Sequence, residues 1–91
     1  MTGHELIAAE RIRQVSEEGY DAGHDKQHTA GELIDAATAY IYETLGYGYA
    51  HDYWPFDDAH FKPGTKIENL VKAGALIAAE IDRLQATGVK A

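Results

Sequence analysis

Ninety-one residues, 45% of them hydrophobic and 25% charged, suffice for one small globular domain and are too apolar for a disordered chain. The absence of cysteine excludes a disulfide scaffold, a thiol nucleophile and a zinc finger together. Eight Lys and Arg stand against 15 Asp and Glu, a net charge of −7 that opposes general nucleic-acid binding, and no apolar run is long enough to span a membrane. A single cytoplasmic domain covering residues 1–91 is expected.

The first element opens at Thr2-Gly3-His4-Glu5. Thr-x-x-Glu is a capping box, in which the Thr hydroxyl accepts the N3 amide proton and the Glu carboxylate accepts the cap amide proton. It predicts a helix over about 3–18, stopped by Gly19, with Ala8, Ile12 and Val15 as its apolar stripe. A polar stretch containing His24-Asp25-x-x-His28 follows, read as loop. Thr29-Ala30-Gly31-Glu32 repeats the capping box and predicts a second helix over 30–45, with Ile34, Ala37, Ile41 and Leu45 in line and Gly46 beyond its end.

Residues 46–64 carry Tyr47, Tyr49, Tyr53, Trp54, Phe56, Phe61 and both prolines. So long and aromatic a connection is expected to be ordered, folded over the helices with a short helical turn around Phe56–His60. Thr65-Lys66-Ile67-Glu68 is the third capping box and opens a helix over 66–87. There Ile67, Leu70, Gly74, Ile77, Ile81 and Leu84 form a heptad-like seam, and neighbouring Ala and Gly residues invite a close helix partner. The expected fold is therefore all-α, three main helices with an ordered aromatic connection, and a homo-oligomer is expected from the length of the last seam.

Three constellations bear on chemistry. His24, Asp25 and His28, with Glu32 beyond, suit three uses: organising a loop through side-chain bonds, lining a ligand site, or binding a divalent metal. Glu17-Glu18-x-x-Asp21 and Glu32-x-x-Asp35 would, on two facing helices, offer carboxylates to Mg²⁺. Trp54, Lys62, Asn69 and Lys72 combine an aromatic face, two cations and an amide near the start of a helix. That set suits a nucleobase carrying phosphates.

The paired acidic motifs resemble those of MazG-like all-α nucleotide pyrophosphohydrolases, over residues 17–35 and with Asp21 where Glu is usual. That likeness implies Mg²⁺-dependent hydrolysis by Glu17, Glu18, Glu32 and Asp35. A broader pattern covers most of the chain: Ala9-Glu-Arg-x-Arg-Gln-x-x-x-Glu-Gly19, His24-Asp-x-x-His-x-x-Gly-Glu-Leu33, Trp54-Pro55, Lys62-Pro63, and Asn69 to Leu84. It resembles a group of small proteins encoded by bacteriophages and prophages. The resemblance implies an accessory protein acting in the bacterial cytoplasm, where such proteins commonly counter host defence, one route being capture of a nucleotide-type immune signal.

The resulting expectation is a module that holds a nucleotide-like small molecule with Arg11, His24, Asp25, His28, Trp54, Lys62, Asn69 and Lys72. Arg11 enters as a planar phosphate fork, favoured over Arg13. No catalytic residue, metal or cofactor is assigned. The alternatives are the Mg²⁺ pyrophosphohydrolase and an acidic inhibitor that masks a host protein.

Overall fold

The computed structural model describes residues 1–90. Among them are four α-helices and no strand: α1 (Gly3–Glu18), α2 (Ala22–Lys26), α3 (Glu32–Leu45) and α4 (Lys66–Ala86). Short 3₁₀ turns at Ala50–Asp52 and Asp58–His60 order the long connection. The all-α class expected from the sequence is what the chain adopts.

Two of the three capping boxes form. The Glu5 carboxylate accepts the Thr2 amide at 2.8 Å and the Thr2 hydroxyl accepts the Glu5 amide. Thr65 and Glu68 do the same for α4, at 2.8 and 3.1 Å. The box at Thr29 does not form. Gly31, at φ 90, occupies the cap in a backbone conformation that side chains resist, and α3 starts two residues later than expected. Glu32 turns back to accept the Ala30 amide at 2.7 Å.

The short α2 lies within the stretch read as loop. Asp21 is its cap and accepts the His24 amide at 2.9 Å, so this residue serves local structure. Gly19, left-handed at φ 74, ends α1 at the expected place.

Helix α4 is the hub, packed on α3 and on α1. It runs antiparallel to α3: Tyr40 lies beside Lys72, and Glu32 lies close enough to Arg83 to reinforce its charge. Among the described residues, Leu33 and Leu76 are the large side chains that are fully buried. The rest of the interhelical core is chiefly small, with Ala36, Ala37, Ala39, Ala73, Ala75 and Ala79 buried. Tyr20, Tyr40, Trp54 and Phe61 close one side beneath the 46–64 connection, where Ala50 is also buried. At Gly74 a Cβ would stand 2.6 Å from Ile7 Cδ1, so the mid-helix glycine is where α1 meets α4.

The apolar rows read from the sequence do not face the core. On α4, Ile67, Leu70, Ile77 and Ile81 are 65, 50, 39 and 51% exposed, while Asn69, Ala73, Leu76 and Glu80 are buried. On α1, Ile12 and Val15 are exposed and Gln14 is buried; on α3, Ile34, Ile41 and Leu45 are exposed beside buried Leu33, Ala37 and Tyr40. The polar members of the buried row of α4 have internal partners. Asn69 bonds both polar groups of Gly64, and Glu80 forks onto Arg83 at 2.6 and 2.9 Å. Paired in this way, polar side chains enter a core at modest cost.

On α3 and α4 each exposed row lies one residue beyond the buried row, a turn of about 100°. In an antiparallel pair equal turns lead to the same side. Ile34, Ile41 and Leu45 therefore share one face with Leu70, Ile77 and Ile81.

Candidate functional site

The first halves of α1 and α4 and the chain at Lys62 enclose an open groove of about 330 Å³. Leu6, Ile67 and Val71 form its apolar wall, and Arg13, Lys62 and Lys72 supply cations beside Glu10 and Glu68. A second cavity, of about 10 Å³, shares Glu10, Arg13, Lys62 and Lys72 with the groove and reaches Gln14, Tyr40 and Trp54. It has room for about one water. Gln14 Oε1, buried without a hydrogen-bond partner among the described residues, lies on its lining.

The cations are held by a network anchored on α1. Arg13 forks onto Glu10 at 2.7 and 2.8 Å, and its third nitrogen reaches Glu17 and Glu18 at 3.1 and 3.2 Å. These bonds, Glu10's above all, raise the guanidinium's proton affinity further. Glu18 is the junction. Lys62 Nζ donates to it at 2.6 Å, and His60 lies at 3.4 Å from its second oxygen. The Lys62 bond is the largest cause holding the Glu18 carboxyl at about 2; burial opposes it, and Arg13 and His60 assist.

Lys72 is placed differently. It donates to the Lys62 carbonyl and lies 5.6 Å over the Tyr40 ring, a cation–π contact. The Tyr40 hydroxyl accepts the Lys62 amide at 3.0 Å, and burial raises the proton affinity of this phenol. Tyr20 is pushed up to about 12 for the same reason.

The eight ligand-binding residues expected from the sequence fall into separate places. Lys62 and Lys72 share the groove. Trp54 is core: 8% exposed, it donates Nε1–H to the Asp57 carbonyl at 3.0 Å and packs against Tyr40, Phe56 and Phe61. A base could stack on it only by displacing one of those rings. Asn69 closes the turn before α4 through Gly64, so both ends of its amide are engaged.

Arg11 faces away from the lysines. It binds the Tyr20 carbonyl at 2.7 Å and Asp25 at 2.8 Å, and lines a separate groove of about 450 Å³ between α2 and the end of α4. Arg13 takes the place beside Lys62 and Lys72 that the sequence reading offered to Arg11. Arg11 lacks it because two residues along α1 turn the helix by about 200°, so with Arg13 at the groove Arg11 faces the other side, where buried Asp25 receives it.

His24 and His28 form a pair of their own, their Nε2 atoms 3.2 Å apart. Tyr20 stacks on His24 at 4.7 Å, and Phe56 meets His28 edge-on at 5.0 Å. The acidic set of the alternative reading is dispersed in its bonding. Glu17 and Glu18 are taken by cations and Glu32 by its own helix start and His28, while Asp35 is exposed. Among the described residues no three His, Asp or Glu side chains are grouped to hold a metal ion. No helix among them is long and apolar enough to cross a membrane.

Fold and site together define a small all-α domain with a groove rimmed by Arg13, Lys62 and Lys72 and by the carboxylates of Glu10 and Glu68. No family model matches the chain, and neither a curated protein nor a solved structure is significantly similar to it.

Proposed function

We propose that this protein binds and sequesters an anionic, nucleotide-like small molecule in the groove between α1 and α4. One observation carries the reading: in a protein of charge −7, Lys72 stands at this groove beside Arg13 and Lys62, and its hydrogen bond among the described residues goes to a carbonyl and not to a carboxylate. Among the described residues Lys72 makes direct contact with neutral groups, a carbonyl and an aromatic ring, and feels the Glu68 carboxylate without an ion pair, so its charge is open to a phosphate. Leu6, Ile67 and Val71 offer a base or sugar an apolar wall. The setting is that of the phage proteins the sequence resembles, a role in the bacterial cytoplasm that captures a signal without turning it over. The working unit is a homo-oligomer, supported by the shared apolar face of α3 and α4.

The test is incubation with a panel of mono-, di- and cyclic nucleotides, with and without Mg²⁺, then chromatography of the denatured complex. Recovery of intact nucleotide is expected, and Lys72→Ala should weaken its binding roughly 10- to 100-fold, the worth of one charge-assisted bond. Turnover in Mg²⁺ would favour the pyrophosphohydrolase instead. Neither binding nor turnover would favour the acidic inhibitor.

A further inference from the structure

Four tyrosines gather at the C-terminal end of α3. Gly46, left-handed at φ 77, turns the chain back there, and the Tyr47 amide donates to the Tyr42 carbonyl at 3.1 Å. Buried Ala50 pins the 3₁₀ turn that follows, and Tyr53 stands at its end. The rings of Tyr53, Tyr49 and Tyr47 come to lie 4.8, 5.1 and 5.6 Å from that of Tyr42, and Tyr47 stacks on Tyr49 at 5.5 Å. Tyr42 packs against the core, whereas Tyr47, Tyr49 and Tyr53 stay 46, 44 and 38% exposed. Three large rings are thus held in order by one another while keeping much of their surface in water. Contiguous exposed apolar surface of this kind marks contact with a partner. Tyr suits that use, because it offers wide, stiff contact area with few torsions to freeze.

The distribution of charge selects the partner. Residues 27–61, which include α3 and most of the connection, contain six Asp and Glu and no Lys or Arg, so all but one unit of the net charge of −7 lies there. Glu43 follows Tyr42 and Asp52 precedes Tyr53; both are exposed, and the ion pairs among the described residues use neither. Like charge turns such a face away from nucleic acid and anionic lipid, and opposes its pairing with itself. A basic protein surface is its complement. Arginine fits best, since a guanidinium stacks on an aromatic ring and forks onto a carboxylate. Tyr and Arg are also the residues concentrated at the energetic centres of interfaces. Tyr42 lies one residue beyond Ile41, a turn of about 100°, so this face borders the aliphatic row of α3 and α4 and is distinct from it.

We propose that Tyr42, Tyr47, Tyr49 and Tyr53, with the neighbouring Glu43 and Asp52, dock an arginine-bearing basic segment of another protein. The face is independent of the groove between α1 and α4.

The probe is a labelled synthetic peptide alternating Arg and Gly, titrated with the full chain at physiological salt and followed by anisotropy and by the tyrosine ring resonances. Saturable binding is expected, with the rings of Tyr47, Tyr49 and Tyr53 shifting together, and the matching Lys–Gly peptide should bind several-fold more weakly. Tyr49→Ala and Tyr53→Ala should each weaken binding roughly 10- to 30-fold, as loss of an aromatic hot spot does. Asp52→Asn, a change at an exposed residue, should weaken it several-fold. Asp82→Asn removes the same charge near the far end of α4 and should leave binding unchanged, as should Lys72→Ala in the groove. Equal losses for Asp52→Asn and Asp82→Asn would reduce the contact to general charge attraction and overturn the proposal. Ring shifts on dilution without peptide would make a second copy the occupant and overturn it too. So would the absence of any shift of these rings up to millimolar peptide.

Discussion

Glu18 offers the sharpest test of the network beneath the groove. In the folded chain its carboxyl titrates near 2 instead of the ordinary 4.5, chiefly through Lys62, with Arg13 and His60 assisting against burial. A difference of that size corresponds to about 3 kcal/mol between the charged and protonated forms. Lys62 and His60 keep about half of their side chains in water, so screening reduces the part realised in stability to about 2 kcal/mol. The sign follows from the lowered value. The unfolded chain takes up the proton first as pH falls, so the stabilisation is complete above 4.5 and is lost as pH drops towards 2. Glu18→Gln should therefore be less stable than the native chain at pH 7 by about 2 kcal/mol, or roughly 8–16 °C in unfolding temperature for a domain this size. The gap should close between pH 4.5 and 2. Urea unfolding followed by Trp54 fluorescence at stepped pH measures it. The lowered carboxyls of Glu5, Glu32 and Glu68 remain in both proteins and cancel in the difference. Equal stability at pH 7, or a gap that persists unchanged at pH 2, would refute the assignment.

Three further outcomes follow from the packing. Gly74→Ala places a methyl against Ile7, so overpacking of about 1–3 kcal/mol should outweigh the gain of about 1 kcal/mol in helix propensity; made in an Ile7→Ala background, the same substitution should cost little or stabilise relative to Ile7→Ala alone in a thermal-melt cycle. Ile77→Glu, on the exposed α3–α4 face, should leave the helix content of the chain intact by circular dichroism while shifting light-scattering mass from dimer to monomer. A native chain that scatters as a monomer at high micromolar concentration would refute that face as a self-association surface. Thr65→Ala removes the cap of α4 and should lower unfolding stability by about 0.5–2 kcal/mol, read by urea unfolding.

The sequence displayed its helix ends well, because caps are local. Thr2, Gly19, Thr65 and Gly46 all act within a few residues of themselves, and α1 and α4 lie within a residue of their expected bounds. Thr29 misled because Gly31 resets the backbone between the cap and its glutamate. The buried faces were harder to read. Asn69, Ala73, Leu76 and Glu80 repeat with the same spacing as the aliphatic row beside them, but two of the four are polar. Their partners, Gly64 and Arg83, only become apparent once the chain is folded. Tyr40 and Gln14 were passed over for the same reason. In the candidate site, Lys62 and Lys72 were legible as a cluster of charge along the chain. Arg13 was not, since choosing it over Arg11, about 200° away on the same helix, depends on which face α1 turns to α4.

The alanines of the core set an asymmetry in how this protein can change. A core of leucines can lose methylene groups one at a time, each substitution leaving a cavity of graded size. At Ala36, Ala39, Ala73 and Ala79, which are buried, there is almost nothing left to remove. Apart from Ala→Gly, which costs about 1 kcal/mol in a helix, variation there adds atoms between closely packed helices. The cost of inherited change is thereby concentrated on one kind of substitution, towards larger side chains. The freely variable positions are displaced outward, to the aliphatic faces and the groove rim, where new contacts can be tried while the frame keeps its spacing.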